Sequence, residues 1–361
     1  MKQVVLFIDS LGSGGAQRQI VSLAVSLKQI GYSVEVLIYD NKELFFKEEL
    51  ESASIKVNVV NASNKIDRIT KCVSFLRRKN ADCVISFLDT PNLILLIAKP
   101  FIKSKVIICE RSANENMFKS IKGKIYLRLS KRAYRIVCNS NNAGRIWINA
   151  NSALEKKIIT IYNIYDLPLL EKVREMNKSE NDRIVIVIPA HYSRVKGVMN
   201  VIKATSLLPN EMRDRIRIEW FGRKTESFDD SSLYEEASSL IKTLGLMDVV
   251  ELHSETHGIY EKMWQADFVG LFSDYEGLPN SICEAMCLGK AIIMTKVSDF
   301  DVLVNGNGFC CEQGIEGISE GLLNIARSSR NQRNEMEKNS MELAKLLFDR
   351  EKTMCQWTSL I

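Results

Sequence analysis

Between residues 268 and 294 two short apolar runs bracket a loop and a helix, and this pattern narrows the fold more than any other in the chain. Phe268 to Phe272 reads as a strand and Ala291 to Met294 as a second. Between them lies Glu276-Gly277-Leu278-Pro279-Asn280-Ser281-Ile282-Cys283-Glu284-Ala285-Met286-Cys287-Leu288-Gly289-Lys290. Strand, loop, helix, strand is the unit of a parallel sheet, whose ligands sit in the loops at the carboxyl ends of strands. Pro279 suits the first helical turn, where its missing N–H has no partner in any case. Glu276 then falls in the loop and Glu284 one to two turns into the helix, near its open N-terminus. Free N–H groups and the helix dipole favour an anion there. Two acceptor-only carboxylates beside an anion site suit a ligand carrying both hydroxyls and phosphate, such as a nucleotide sugar. By spacing alone, two glutamates eight residues apart at a helix entrance more often form a solvated face.

The neighbouring residues shift that balance. Glu-Gly-Leu-Pro-Asn, Glu-Ala-Met and Gly-Lys together resemble the E-x7-E signature of glycosyltransferase family 4, the large retaining family with the GT-B fold. The resemblance runs over nearly the whole chain. Val4 to Ile8 is a strand-like run followed by Leu11-Gly12-Ser13-Gly14-Gly15-Ala16-Gln17 and an amphipathic helix from about Gln17 to Gln29. A glycine loop lets backbone N–H groups approach a phosphate closely. It lacks the G-x-G-x-x-G spacing of a dinucleotide fingerprint and is similar to the Gly-Gly-Ala loop of the transferases. In the middle, strand 184–189 leads into Ala190-His191-Tyr192-Ser193-Arg194-Val195-Lys196-Gly197. The family reads Gly-Arg-Leu-x-x-x-Lys-Gly there. Lys196 and Gly197 match, whereas Ala190 and His191 depart. A neutral imidazole grips a diphosphate less well than a guanidinium, and Arg194 stands three residues on.

The resemblance implies an α/β protein of GT-B type, with two doubly wound Rossmann-like domains facing a central cleft. Residues 1–165 would form the acceptor-binding domain and 166–345 the nucleotide-sugar domain. Residues 346–361 would form a helix crossing back to the first domain, with Trp357 docked there. Glu276 and Lys196 would act in catalysis, orienting the donor sugar and offsetting charge on the departing diphosphate. Gly14, Gly15, His191, Arg194, Leu278, Pro279, Asn280 and Glu284 would bind the donor, Glu284 through the ribose hydroxyls. Glu110 and Arg111, in a Ser-Glu-Arg-Asn-like stretch at a strand end, are candidates for the donor sugar or the acceptor diphosphate, with structural pairing equally open. Ser86 to Asn92 closes the preceding strand and could line the acceptor side. The implied activity is a retaining, hexosyltransferase-type transfer from a UDP- or GDP-sugar to a saccharide acceptor, lipid-linked in members that build capsule, O-antigen or exopolysaccharide. A nucleotide-sugar epimerase, a sugar-phosphate synthase and a non-catalytic partner of the same fold are the alternatives.

Composition bounds the rest. With 361 residues, 46% hydrophobic, the chain can bury cores for two domains. The short apolar runs expected as strands are 4–8, 33–39, 83–87, 106–109 and 135–138, then 184–189, 216–221, 249–252, 268–272 and 291–294. Residues 158–163 lead out of the first domain. The charged stretch Glu171 to Asp182 reads as connecting helix and loop, and the pattern after Gly314 is helical. No apolar stretch is long enough to span a membrane, and the start is not built as a secretory signal. The nine cysteines sit mostly in strand runs, as in a reduced cytosolic protein. Cys283 and Cys287 have no second pair to complete a zinc site, and His253 and His257 flank an expected turn. No metal cofactor is expected, and the nucleotide sugar is substrate.

Charge divides unevenly. Residues 1–165 hold 26 Lys and Arg against 13 Asp and Glu, a net of +13, while residues 166–361 hold 23 against 31, a net of −8. Lys119, Lys122, Lys124, Arg128, Lys131, Arg132 and Arg135 lie in one acid-free stretch interleaved with Phe118, Ile121, Ile125, Tyr126, Leu127 and Leu129. This reads as a basic amphipathic helix, drawn to anionic lipid at roughly 1 kcal/mol per basic residue, or else as a solvated helix packed on its apolar side. The expected location is cytoplasmic, peripheral on the inner face of the cell membrane. No aromatic-rich nucleic-acid motif accompanies the charge.

Overall fold

The structure, a computed structural model, describes residues 1–165, 167–177, 182–224 and 230–361. It divides into two compact units, Met1–Ile164 with Phe348–Ile361, and Tyr165–Leu347.

The first unit holds seven strands: β1 (Gln3–Phe7), β2 (Ser33–Ile38), β3 (Lys56–Val59), β4 (Cys83–Phe87), β5 (Lys105–Glu110), β6 (Arg135–Cys138) and β7 (Ile158–Thr160). They form one parallel sheet in the order β3-β2-β1-β4-β5-β6-β7. A parallel sheet is covered by helices on both faces, so its strands are apolar on both. β1 shows this directly. Val4 and Leu6 enter one core with Ile20, Leu23 and Leu27 of the helix Gly15–Gln29, while Val5 and Phe7 enter the other with Val84, Leu95 and Trp147. Strand order reverses between β1 and β4, which makes the ends of those strands the switch point of the sheet.

The second unit repeats the plan with β8 (Ile184–Pro189), β9 (Ile216–Gly222), β10 (Val250–Ser254), β11 (Phe268–Leu271), β12 (Ala291–Thr295) and β13 (Gly308–Cys311). These pair in parallel as β10-β9-β8-β11-β12-β13, with the reversal between β8 and β11. Ile184, Ile186 and Ile188 of β8 share a core with Ile218, Trp220, Phe268 and Phe272. Lys290 has a fully buried side chain, and its ammonium donates to Glu337 Oε1 at 2.7 Å, tying the turn before β12 to the helix Arg330–Leu347.

Several elements differ from the sequence expectation. β3 and β13 were not expected as strands. Both lie at sheet edges, where half-exposed positions break the apolar run; β3 reads Lys-Val-Asn-Val and β13 Gly-Phe-Cys-Cys. The basic stretch is not one helix. A helix covers Ile121–Leu129, a single 3-10 turn covers Ser130–Arg132, and Arg135 already belongs to β6. Pro279 is the N-cap of the helix Asn280–Cys287 and not its first residue. His253 lies within β10. In the stretch 171–182, a helix Leu167–Arg174 is present and residues 178–181 lie outside the described residues.

The C-terminal helix Arg350–Leu360 is part of the first unit's core. Asp349 caps it by accepting from Lys352 N at 2.6 Å, and Met354, Trp357, Leu360 and Ile361 pack with Val4, Leu6 and Ile20. Trp357 is 2% exposed. Truncating a buried Trp to Ala costs about 3–5 kcal/mol through lost contacts and the cavity left behind. Trp357→Ala should therefore lower the unfolding free energy of the first unit, measured by urea denaturation, by an amount in that range. A shift of a few tenths of a kcal/mol would mean that this helix docks without contributing to the core.

Candidate active site

In the second unit the site grows from one close approach. The chain leaves β8 through 190–193, makes a 3-10 turn at Arg194–Lys196, and reaches Gly197 at φ +79°. A Cβ at Gly197 would lie 2.3 Å from the carbonyl oxygen of Phe272, just past β11. Only glycine permits both this backbone conformation and this contact. Asp274 N then donates to Val195 O at 2.8 Å, so the loops after β8 and β11 are locked together at the switch point. Lys196 and Glu276 meet there as an ion pair, with side chains 18% and 14% exposed. Ser273 Oγ donates to the same Glu276 oxygen at 2.6 Å, while Thr295 Oγ1 holds the Ser273 carbonyl at 2.8 Å. Sequence reasoning missed Ser273 and Thr295. Their only signal is a small polar residue at the end of an apolar run.

The helix Asn280–Cys287 carries the second carboxylate. Its N-terminus has no side-chain cap and no acidic residue in the first turn. Leu278 and Pro279 are buried before it, and the Ser298 hydroxyl donates to Gly277 O, which fixes the loop. Tyr165 OH donates to Asn280 Oδ1 at 3.3 Å. Glu284, half-buried, accepts from Tyr260 OH at 3.2 Å. Cys283 and Cys287 are buried thiols on this helix, and burial pushes Cys287 up to about 12. Among the described residues there is no cluster of three His, Cys, Asp or Glu side chains able to hold a metal ion.

His191 stays exposed in the loop after β8. Partial desolvation, and next the Lys196 ammonium, lower its pKa against the pull of Glu276. Its ring is therefore mainly neutral at neutral pH. Arg223, at the end of β9, adds to the same field, and this residue was also missed. Arg194 is drawn toward the helix Leu233–Thr243, with its guanidinium 3.3 Å from Glu236, and its backbone N–H donates to Asp230 Oδ1 at 3.0 Å.

In the first unit, Gly14 is the N-cap of the helix Gly15–Gln29 at φ −79°, again without a side-chain cap. Leu88, after β4, sits at φ +75°, strained for a branched residue. Asn92, expected on the acceptor side, is fully buried and donates to Cys109 O and Tyr126 OH, both at 3.0 Å. Glu110 is 3% exposed at the end of β5. One of its oxygens accepts from Arg111 N, Ser112 N and Ser112 Oγ, and the other from Trp147 Nε1 at 3.3 Å. These bonds make it the organiser of its own loop. Arg111 stacks over Phe87 at 3.9 Å and donates to Asn163 Oδ1 at 2.6 Å.

The comparisons bear on both units. Residues 171–343 match the family model of the group 1 glycosyl transferases. The match spans most of the second unit. Over 308 residues the chain is 24% identical to the N-acetylgalactosamine-N,N'-diacetylbacillosaminyl-diphospho-undecaprenol 4-alpha-N-acetylgalactosaminyltransferase of Campylobacter jejuni, covering 82% of this chain and 81% of that enzyme. The fold resembles that of HepE from Anabaena, solved with UDP, at TM-score 0.84 and 19% identity over 99% of both chains. It also resembles sucrose-phosphate synthase from Thermosynechococcus elongatus, at TM-score 0.77 and 14% identity, over 99% of this chain and 98% of that one. Glu276, Glu284 and Lys196 all fall within the matched residues.

Burial, and next the charge of Asp89, raise Glu110 to about 7. A carboxyl whose folded pKa lies above its unfolded value near 4.3 binds more protons when folded, so stability falls as pH rises between the two values. The full penalty is on the order of 3 kcal/mol, complete only above pH 7. Glu110→Gln cannot ionise. Its stability difference from wild type, measured by urea unfolding, should thus shift in the variant's favour by roughly that amount between pH 4.5 and pH 8. A difference that stays constant across this range would show that Glu110 does not titrate in the folded protein.

Proposed function

We propose that the chain is a retaining glycosyltransferase that moves a hexosyl group from a nucleotide sugar, a UDP- or GDP-sugar, to a saccharide acceptor carried on a lipid diphosphate. This is a step in building a bacterial surface polysaccharide such as capsule, O-antigen or exopolysaccharide. The observation that carries the reading is the Lys196–Glu276 pair at the β8/β11 switch point, beside the uncapped helix that bears Glu284. The Campylobacter relative is named for transfer to a diphospho-undecaprenol acceptor, and HepE was solved with UDP. Both support the choice of donor and acceptor class.

Each residue has a role in this reading. Glu284 accepts hydrogen bonds from the ribose hydroxyls. The diphosphate draws Lys196 away from Glu276, and the ammonium then stabilises the charge that grows on the leaving group. Glu276, still held by Ser273, turns its carboxylate to the donor sugar. Backbone N–H groups at Leu278 to Asn280 meet sugar hydroxyls. A neutral His191 contributes a hydrogen bond rather than a charge. With counter-charge supplied by Lys196 and the helix N-terminus, transfer is metal-independent and continues in excess EDTA.

The test is a binding and turnover comparison. Glu284→Ala should weaken nucleotide binding by about 1.5–3 kcal/mol, the worth of a hydrogen bond to a charged group. Glu276→Ala should depress turnover far more than nucleotide affinity. Wild-type transfer in both variants would sink the assignment, and complete loss of wild-type transfer in EDTA, rescued by magnesium or manganese, would overturn the metal-independent part.

The reading extends to a membrane surface. On the helix Ile121–Leu129, Ile121 is 80% exposed and Ile125 52%, one turn apart, while Lys119, Lys122, Lys124, Arg128, Lys131 and Arg132 are exposed around them. Gly123 and Tyr126 face inward, and a Cβ at Gly123 would lie 1.9 Å from Met117 O. The helix therefore docks by its glycine and leaves apolar and basic groups outside. Among the described residues no helix is long and apolar enough to cross a membrane. The protein should sediment with anionic vesicles at low salt and be released as ionic strength rises, since screening shortens the reach of the attraction to about 8 Å at physiological salt. Changing Lys119, Lys122, Lys124 and Lys131 to Gln should release it while nucleotide affinity holds. Failure of the wild type to sediment would leave the stretch a solvated helix.

A further inference from the structure

We infer that Tyr260 is a positioning residue for the donor nucleoside, acting through Glu284, an inference that rests on the reading of Glu284 as the ribose-binding carboxylate. Tyr260 is the second residue of the helix Ile259–Gln265, which follows β10, whereas Glu284 lies on the helix that follows β11. Nothing in the sequence around Glu276 and Glu284 points to it, because the two residues are brought together only by the fold. The phenol donates to Glu284 Oε1 at 3.2 Å, and both side chains are half-buried.

A glutamate on a helix surface samples several rotamers, and holding it in one costs entropy at the moment a ligand binds. A hydroxyl donor on a neighbouring helix removes part of that cost beforehand. An ionised carboxylate offers about four lone-pair positions, so the bond from Tyr260 does not by itself exclude bonds from a vicinal diol. The phenol cannot carry the chemistry itself, and its effect should reach the ligand only through the carboxylate.

The experiment is calorimetric titration with UDP, and with GDP in parallel, each against its 2',3'-dideoxy form. Tyr260→Phe keeps the ring and removes the hydroxyl. It should weaken binding of the ribonucleotide roughly three- to tenfold, the order of the cost of immobilising one such side chain on binding. The dideoxynucleotide should bind wild type and variant alike. In steady-state assays the donor KM should rise while kcat at saturating donor stays near wild type. Combined with Glu284→Ala, the Tyr260→Phe change should have no further effect on binding. Equal losses for the ribo and dideoxy forms, or an undiminished loss in the Glu284→Ala background, would overturn the inference while leaving Glu284 in its role. Wild-type ribonucleotide affinity in Glu284→Ala would instead remove the reading on which the inference rests.

Discussion

The contact between Gly197 and the carbonyl of Phe272 is the constraint on which the site of the second unit depends. Two loops that leave adjacent strands would ordinarily diverge, since each turns into its own helix. Here the first turn after β8 is pressed against the end of β11, and the hydrogen bond from Asp274 to Val195 closes the gap. A side chain at position 197 would force the loops apart by more than an ångström, at the point where Lys196 and Glu276 meet. Strand order supplies the rest. β8 and β11 are neighbours because the sheet reverses between them, which is where open parallel sheets leave room for a ligand.

The ion pair at that point is informative for what it lacks. A fully buried pair resists change, because separating it strands a charge at several kcal/mol. A fully exposed pair is worth little and orients little. Lys196 and Glu276 lie between these limits, held in place without being sealed from solvent. His191, whose pKa is lowered by partial desolvation and by the Lys196 ammonium, adds no permanent charge beside that pair.

Much of this was legible in the sequence. Glu276, Glu284 and Lys196 could be placed on loop, helix and turn because parallel strands, buried on both faces, leave unmistakable apolar runs, and the turns between them fall at fixed places. What failed had physical causes. β3 and β13 are edge strands, so half their residues face outward and no continuous run marks them. The helix at Ile121 stops early because residues after Ser130 are recruited by the sheet; periodicity alone continued it to Arg135. Ser273, Arg223 and Tyr260 were invisible because their importance is purely spatial. Ser273 and Arg223 follow the ends of β11 and β9, Tyr260 lies on the helix after β10, and each is given meaning only by its neighbour.

Burial separates the carboxylates that hold structure from those able to hold a ligand. Glu110 ends β5 and Glu276 lies in the loop after β11, and by sequence either could have been the binding group. Glu110 is almost completely enclosed, and four donors from its own loop and from Trp147 occupy it. Such a group can reach a substrate only by giving up bonds that keep its loop folded. Its influence passes instead to the loop it shapes, where Arg111 is held between the Phe87 ring and Asn163. Glu276 and Glu284 each retain solvent contact; Lys196 and Ser273 hold the first, and Tyr260 donates to the second. Glu110 is thus committed to its own loop, whereas Glu276 and Glu284 stay partly open to solvent.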